Sequence, residues 1–270
     1  MDIIFCSFEE KQLEDEDMSQ VYGKAFSRIY NQMLGGFSKK AALQIMKYYQ
    51  GKDIYKTNRN VLDICCGTGQ LALEFLKNNY QVTGIDLSPY MLVYARDNTR
   101  DYEGRGTVNF LEADASNFNL KREYGLAVSI YDSMNHLQNK DLLKGCFESA
   151  YQCVIEGGYF IFDLNTKIGF QNWNGVRITD KENIFLIIKG IFAEDKGEAV
   201  TRISGFIKEG DDLYSRFEEI VYNYVYQLEE VQKILEDTGW HQVYFTRIDD
   251  LEKNIENPET EERVFIVAKK

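Results

Sequence analysis

The feature that most constrains this chain is an alternation. Apolar runs recur with helical patterns between them: "NVLDICC" then "QLALEFLKN", "QVTGID" then "SPYMLVYARDNT", "TVNFLEAD", "GLAVSIY" then "KDLLKGCFESAYQCV", and "GGYFIFDLN". Runs as uniformly apolar as "LAVSIY" and "YFIFDL" suit central parallel strands with helices over both faces, so repeated β-α-β units should wind into one sheet. Past Asn165 the texture changes to Tyr, Phe and Ile interleaved with charges, broken at "EDKG" and "EGDD". Those breaks read as turns between antiparallel strands of an inserted β-element. The helix "QLEEVQKILEDTG" then leads to "WHQVYFTRID" and "RVFIVAKK", an antiparallel pair closing the sheet. Ahead of the first strand, "SQVYGKAFSRIYNQM" and "SKKAALQIMKYY" have the apolar spacing of two amphipathic helices. The expected organisation is an acidic tail (1–18), a helical lid (19–50), a ligand-binding core (51–165), an inserted antiparallel β lid (166–226) and the C-terminal part of the core sheet (227–270).

Charge narrows the partners. Against 31 Lys+Arg stand 43 Asp+Glu, a formal net charge of -12, which repels phosphate backbones and anionic lipid. Neither nucleic acid nor a membrane is expected as a partner. The start "MDIIFCSFEEKQLEDED" turns acidic where a targeting peptide needs basic residues, and no run approaches the ~20 apolar residues of a membrane span, so a cytoplasmic protein is expected. The five cysteines are odd in number and lack C-x-x-C spacing, so neither a disulfide framework nor a zinc site, and no other metal, is expected.

"VLDICCGTGQLAL" (61–73) runs a strand through a glycine loop into a helix, which puts backbone N–H groups and a close-approach surface at the carboxyl edge of the sheet. "GTGQLA" satisfies a G-x-G-x-x-A dinucleotide pattern, with Asp86 at the end of the next strand in the ribose-binding position. Asp63 opposes a dinucleotide, because a carboxylate just before the glycines would face a pyrophosphate of like charge. It suits a cation. S-adenosylmethionine carries a sulfonium and an ammonium beside its ribose and no phosphate, so Asp63 favours its amino-acid end while Asp86 takes the ribose hydroxyls.

Through "VLDICCGTG", "VTGIDLSPYML", "LEADASNF" and "GLAVSIYDSMNHL", in that order, the chain resembles the class I S-adenosylmethionine-dependent methyltransferases, most strongly over residues 20–165. The resemblance implies a doubly wound, mostly parallel seven-stranded α/β sheet. By the same likeness Cys65, Gly67 and Gly69 approach the amino-acid and ribose portion of the cofactor, Asp86 holds the ribose diol, Leu87 and Met91 flank the adenine, and Asp114 with Ala115 meets the adenine edge. Ile130 continues the cofactor wall. Two positions depart from the family's pattern: Cys65 stands where the loop's first glycine is usual, and Gly125 where an acid commonly opens the fourth strand.

The segment "SIYDSMNHL" follows the fourth strand and resembles that of small-molecule N-methyltransferases acting on amino sugars and amino acids. His136 is the candidate general base, an imidazole being suited to take a proton near neutral pH, with Tyr131 and Asp132 toward the acceptor. A purely structural His136, bonded to a helix end, remains the alternative. "VYGKAFSRIYN" resembles the aromatic pattern that such enzymes fold over the cofactor, and Tyr22, Phe26 and Tyr30 at i, i+4, i+8 would form one helical stripe, with Tyr22 the cofactor contact. In the insert, Arg202, Arg216 and Tyr222 are candidates for the acceptor. The implied activity is methyl transfer to an oxygen or nitrogen of a small metabolite or short peptide. An NAD-linked oxidoreductase and a non-catalytic S-adenosylmethionine-binding module remain as alternatives, since fold alone does not carry function.

Overall fold

The computed structural model describes residues 22–33, 35–210 and 213–270, so the acidic tail expected over 1–18 lies outside the described residues. Two helices, α1 (Lys24–Met33) and α2 (Gly35–Gln50), precede the first strand. The core then alternates β1 (Asn60–Ile64), α3 (Gln70–Lys77), β2 (Gln81–Asp86), α4 (Pro89–Asn98), the single turn α5 (Arg100–Glu103), β3 (Val108–Glu112), β4 (Tyr124–Ser129), α6 (Lys140–Cys153) and β5 (Val154–Asn165). After the short α7 (Lys167–Gln171) come four strands: β6 (Gly175–Lys181), β7 (Ile184–Ala193), β8 (Glu198–Lys208) and β9 (Tyr214–Tyr224). The chain returns through α8 (Leu228–Thr238) to β10 (His241–Thr246) and β11 (Arg263–Lys269).

The main sheet is the expected seven-stranded one, in the order β10-β11-β5-β4-β1-β2-β3. Its pairs are parallel except where β11 runs against both β5 and β10. The order reverses between β1 and β4, and a crevice opens outside the carboxyl ends of strands at such a switch point. Both faces are covered. Leu143 and Phe147 of α6 and Val231 and Leu235 of α8 are buried on one side, Ile45 of α2, Phe75 of α3 and Leu92 of α4 on the other. This double burial is why the central strands read as continuous apolar runs.

Local chemistry sets where the helices begin. Ser88 caps α4 by accepting the Met91 N–H at 3.3 Å, with Pro89 opening the helix, and Asn139 caps α6 by accepting the Leu142 N–H at 2.9 Å. Gly125, where the family usually has an acid, has a packing cause: a Cβ there would collide with the Tyr49 hydroxyl and with Asn58. Asn58 also receives the Gly125 N–H at 3.0 Å, so an acid's side chain has no room.

The inserted strands form a separate antiparallel sheet, β6-β7-β8-β9. It has one more strand than the Tyr- and Phe-rich stretch alone suggests, because the polar "GVRITDK" pairs with β7 as an exposed edge. One face packs Leu186, Ile203, Phe217 and Val221 onto Phe26 and Ile29 of α1 and Met91 of α4. The N-terminal helix and the inserted sheet are thus joined by one apolar cluster above the main sheet.

Two local expectations differ from the structure. Tyr22 is not on the α1 stripe; it lies in the turn before Lys24 with φ 69°. The Ser27 hydroxyl lies 3.2 Å from the Tyr22 carbonyl and 3.0 Å from that of Gly23, and Glu219 of β9 takes the Gly23 N–H at 3.0 Å, so competing polar contacts hold this turn outside the helix. Cys65 and Cys66 are not on a strand. β1 ends at Ile64, and Cys65 begins the loop in the left-handed region with φ 57°.

Because one cluster joins α1 to the inserted sheet, Phe217→Ala should cost about 3–5 kcal/mol of stability, the usual loss for a buried phenylalanine. By hydrogen exchange, protection should fall in α1 and β7–β9 while β1, β4 and β5 keep theirs. Uniform loss across both sheets would contradict this division.

Candidate functional site

The site is built from the carboxyl ends of β1, β2, β4 and β5. After β1, Gly67 and Gly69 adopt φ of 52° and 71°, which glycine takes at no steric cost and Cys65 does not. At Gly69 a Cβ would lie 3.0 Å from Ala95 and 3.2 Å from Phe110, so the loop's approach to α4 also requires glycine. At Gly67 the nearest atom to such a Cβ would be on the Tyr30 ring, 3.6 Å away. Tyr30 therefore stands over the glycine loop.

Asp86 joins three segments at the end of β2. Its Oδ2 accepts the Gly67 N–H at 2.8 Å and its Oδ1 the Ser88 N–H at 2.9 Å. Burial raises its carboxyl above the ordinary value, and those amide bonds pull the other way. Asp63, deep in β1, is buried, and its Oδ2 has no hydrogen-bond partner. Burial first, then the charge of Asp86, pushes its carboxyl well above the usual range. An incoming cation would relieve both effects.

Past β4 the backbone takes two successive left-handed residues, Tyr131 (φ 69°) and Asp132 (φ 50°), before a 3-10 turn over Ser133–His136. Such a pair is costly for residues with side chains and persists only where the surroundings fix it. Here Arg263, the first residue of β11, donates to Asp132 Oδ1 at 2.7 Å and also to Asp163 Oδ2, which in turn accepts the Asp132 N–H at 3.1 Å. Phe37 of α2 lies beside both Arg263 and the Tyr131 ring. Buried Asn135 clamps the turn by donating to the carbonyls of Asn165 and Tyr224 and accepting the Asn165 N–H.

His136 sits where the N-terminal segment and the inserted sheet meet. Its Nδ1 lies 2.9 Å from the Tyr222 carbonyl and its Nε2 3.0 Å from the Tyr22 hydroxyl. A carbonyl only accepts, so Nδ1 carries the proton and the Nε2 lone pair faces Tyr22. The Tyr22 phenol is held protonated mainly by burial, reinforced by the carboxylates of Asp132, Asp86 and Glu219. Those residues converge around one side chain, and Ser88 fixes its backbone by donating to the Tyr22 carbonyl at 2.8 Å.

The structure thus brings together Tyr22, Cys65, Gly67, Asp86, Tyr131, Asp132 and His136. Asp63 lies beneath the loop. Leu87 is 60% exposed beside Asp86, whereas Met91 is buried in the cluster under α1 and Ile130 and Ala115 belong to the core. Asp114 is exposed and accepts the Ser116 N–H at 2.8 Å through Oδ1. Three candidates are not brought together with the rest. Arg202 and Arg216 both bond Glu218, at 2.7 and 2.8 Å, and alternation places them with the Tyr222 side chain on the face of the inserted sheet opposite the α1 contact. Only the Tyr222 backbone reaches the site. Arg263, Glu219 and Ser88 also belong to the site and were not among the sequence candidates; the one signal for Arg263 was a cation opening the apolar run of "RVFIVAK".

The residues present fit S-adenosylmethionine: an unpartnered buried carboxylate oxygen for a cation, a glycine cradle beneath an aromatic roof, and an acid at the ribose position. Residues 61–158 match the methyltransferase domain family. A protein of Geobacillus sp. (strain WCH70) named as a methyltransferase is 26% identical over 215 residues, 78% of this chain and 85% of that one. The crystal structure of an S-adenosylmethionine-dependent methyltransferase from Clostridium acetobutylicum ATCC 824 superposes with a TM-score of 0.72 at 25% identity, covering 91% of this chain and 97% of the other. An S-adenosylmethionine-bound amino pentose methyltransferase from Micromonospora echinaspora shares the fold, with a TM-score of 0.67 at 15% identity over 93% of this chain and 99% of that one. The resemblance to class I methyltransferases holds for domain and fold, and with it S-adenosylmethionine as the cofactor of the class.

Burial is the main cause lifting the Asp163 carboxyl to about 6, against the opposing pull of Arg263. The folded state therefore holds this proton more tightly than an unfolded chain does. The stability it contributes is fully present below the unfolded carboxylate value and is lost as pH rises through about 6. The Asp163 carboxyl resonance should titrate near that pH, and Arg263→Gln should move the midpoint higher. A midpoint in the ordinary carboxylate range would contradict the assigned environment.

Proposed function

We propose that this chain, carrying a methyltransferase domain of the S-adenosylmethionine-dependent class, methylates a nitrogen of a small amine-bearing metabolite in the cytoplasm. The observation that carries the reading is the Nε2 lone pair of His136, aimed under the lid at the carboxyl end of β4 by the bond from Nδ1 to the Tyr222 carbonyl. Bound in the crevice, the cofactor supplies an electrophilic methyl group on a positively charged sulfur.

The chain's own part is to hold, dehydrate and deprotonate. Asp86 accepts from the ribose hydroxyls through the lone pairs its two amide bonds leave free, while Asp63 and the amides near Gly67 take the amino-acid end. Tyr30 and Tyr22 cover the glycine loop, and excluding water leaves positioning as the main contribution to a displacement at carbon. Asp132 and Asp163 oppose a single Arg263, so this end of the crevice carries a net negative charge that favours an ammonium over a carboxylate. His136 Nε2 then removes a proton from that ammonium, freeing the nitrogen lone pair for attack. Tyr22 gives up its bond to Nε2 as the acceptor enters. An oxygen acceptor would use the same lone pair.

Two substitutions separate the roles. Asp86→Ala should weaken S-adenosylhomocysteine binding by about 1.5–3 kcal/mol, the worth of a hydrogen bond to a charged group. His136→Ala should leave that affinity intact and lower single-turnover methyl transfer by roughly 100-fold, measured on whichever member of a panel of small amines gains a labelled methyl group. Equal rates and pH profiles for His136→Ala would remove the base. Methyl gain on alcohols and none on amines would overturn the nitrogen reading.

A further inference from the structure

The turn that ends at His136 starts from strained backbone. Tyr131 (φ 69°) and Asp132 (φ 50°) carry the chain out of β4, and the Asp132 carbonyl accepts the Asn135 N–H at 2.9 Å, so the conformation of Asp132 decides where the turn points. Asn135 anchors the far end of the turn to the carbonyls of Asn165 and Tyr224. The near end is anchored by one cation from the last strand.

Arg263 pairs with Asn165 across the β5–β11 ladder, which sets it at the carboxyl end of β5. One guanidinium nitrogen donates to Asp132 Oδ1 at 2.7 Å, and the other donates to Asp163 Oδ2, the same oxygen that accepts the Asp132 N–H at 3.1 Å. Asp132 is thus gripped at both its side chain and its amide. The guanidinium carbon lies 5.3 Å from the centroid of the Phe37 ring, and Phe37 meets the Tyr131 ring edge-on at 4.8 Å, so the same contacts hold the other strained residue.

We infer that Arg263 is a positioning residue for His136: its forked bond to Asp132 and Asp163 holds the Tyr131–Asp132 pair in place and thereby aims the imidazole. Shape is one ground. A planar fork binds two carboxylates at a fixed separation while lying beside an aromatic ring, whereas a lysine ammonium is a point charge on a flexible stem. Charge is another: Asp132 and Asp163 are both buried, and without a cation between them their repulsion falls on the Asp132 backbone. The effect should be local. The bonds that organise the cofactor loop, from Gly67 and Ser88 to Asp86 and from Ser88 to Tyr22, do not pass through Arg263.

This deepens the reading of His136 as the base and rests on it for the rate alone, because the direction of the imidazole can be measured without an acceptor. The chain has two histidines, so nitrogen–proton correlation on isotope-labelled histidine, assigned with His241→Gln, reads His136 directly. In the wild type, above the histidine pKa, His136 should show a single tautomer with the proton on Nδ1, held by the Tyr222 carbonyl. Arg263→Gln and Arg263→Lys should each give a mixture of tautomers and lower single-turnover methyl transfer by roughly 10-fold or more, with S-adenosylhomocysteine affinity unchanged within about twofold. The lysine variant keeps a charge between the carboxylates and so serves if the glutamine variant fails to fold. A tautomer mixture with an unchanged rate would sustain the positioning by Arg263 and remove His136 as the base. A mixture already present in the wild type, a single Nδ1–H tautomer in Arg263→Lys, or a cofactor affinity that falls as far as the rate overturns the proposal.

Discussion

The arrangement depends on the Asp86 carboxylate. One oxygen holds the Gly67 amide and the other the Ser88 amide, so a single side chain fixes the loop after β1 against the start of α4. Ser88 carries the connection further, since its hydroxyl caps α4 and donates to the Tyr22 carbonyl. The floor, wall and roof of the crevice are therefore tied to one strand end. A carboxylate held by two amides has lone pairs left over, so the group that organises the loops can also accept from a ligand.

A second tie runs through apolar packing. Phe26 and Ile29 of the N-terminal helix and Phe217 and Val221 of the inserted sheet share a cluster with Met91, one turn into the helix that Ser88 caps. The N-terminal helix and the inserted sheet are therefore not independent units. Glu219, on the same face of β9, reaches the Gly23 amide, and His136 touches one lid through each ring nitrogen. Separating the N-terminal segment from the sheet would therefore cost both hydrophobic contact and a few polar bonds.

The fold was legible because its signal is periodic. Burial on both faces makes β1, β4 and β5 unbroken apolar runs, and the strand–glycine–helix passage fixes where the crevice opens. The candidate site was legible where placement depends on strand position: Asp86 ends β2, and Gly67 and the segment ending in His136 each follow a strand end. Side-chain direction was not. Arg202 and Arg216 lie in the right strands but on the outward face, because a strand's alternation leaves either set free to face the core until the packing of α1 decides. Tyr22 matched a helical spacing yet sits in a turn, where the contacts of Ser27 and Glu219 outweigh propensity. Arg263 showed only as a cation opening the last strand, because nothing in one sequence records that this strand returns beside Asp132 and Asp163.

The central claim is that the carboxylates at the ends of β1 and β2 select a phosphate-free cationic cofactor over a dinucleotide. Thermal melting of the one protein with each of two ligands tests it. S-adenosylhomocysteine at ~100 times its dissociation constant should add about 2.7 kcal/mol, roughly 5 °C or more in midpoint, while NAD at equal concentration should leave the midpoint unchanged. A shift with NAD, or none with S-adenosylhomocysteine, would contradict the account.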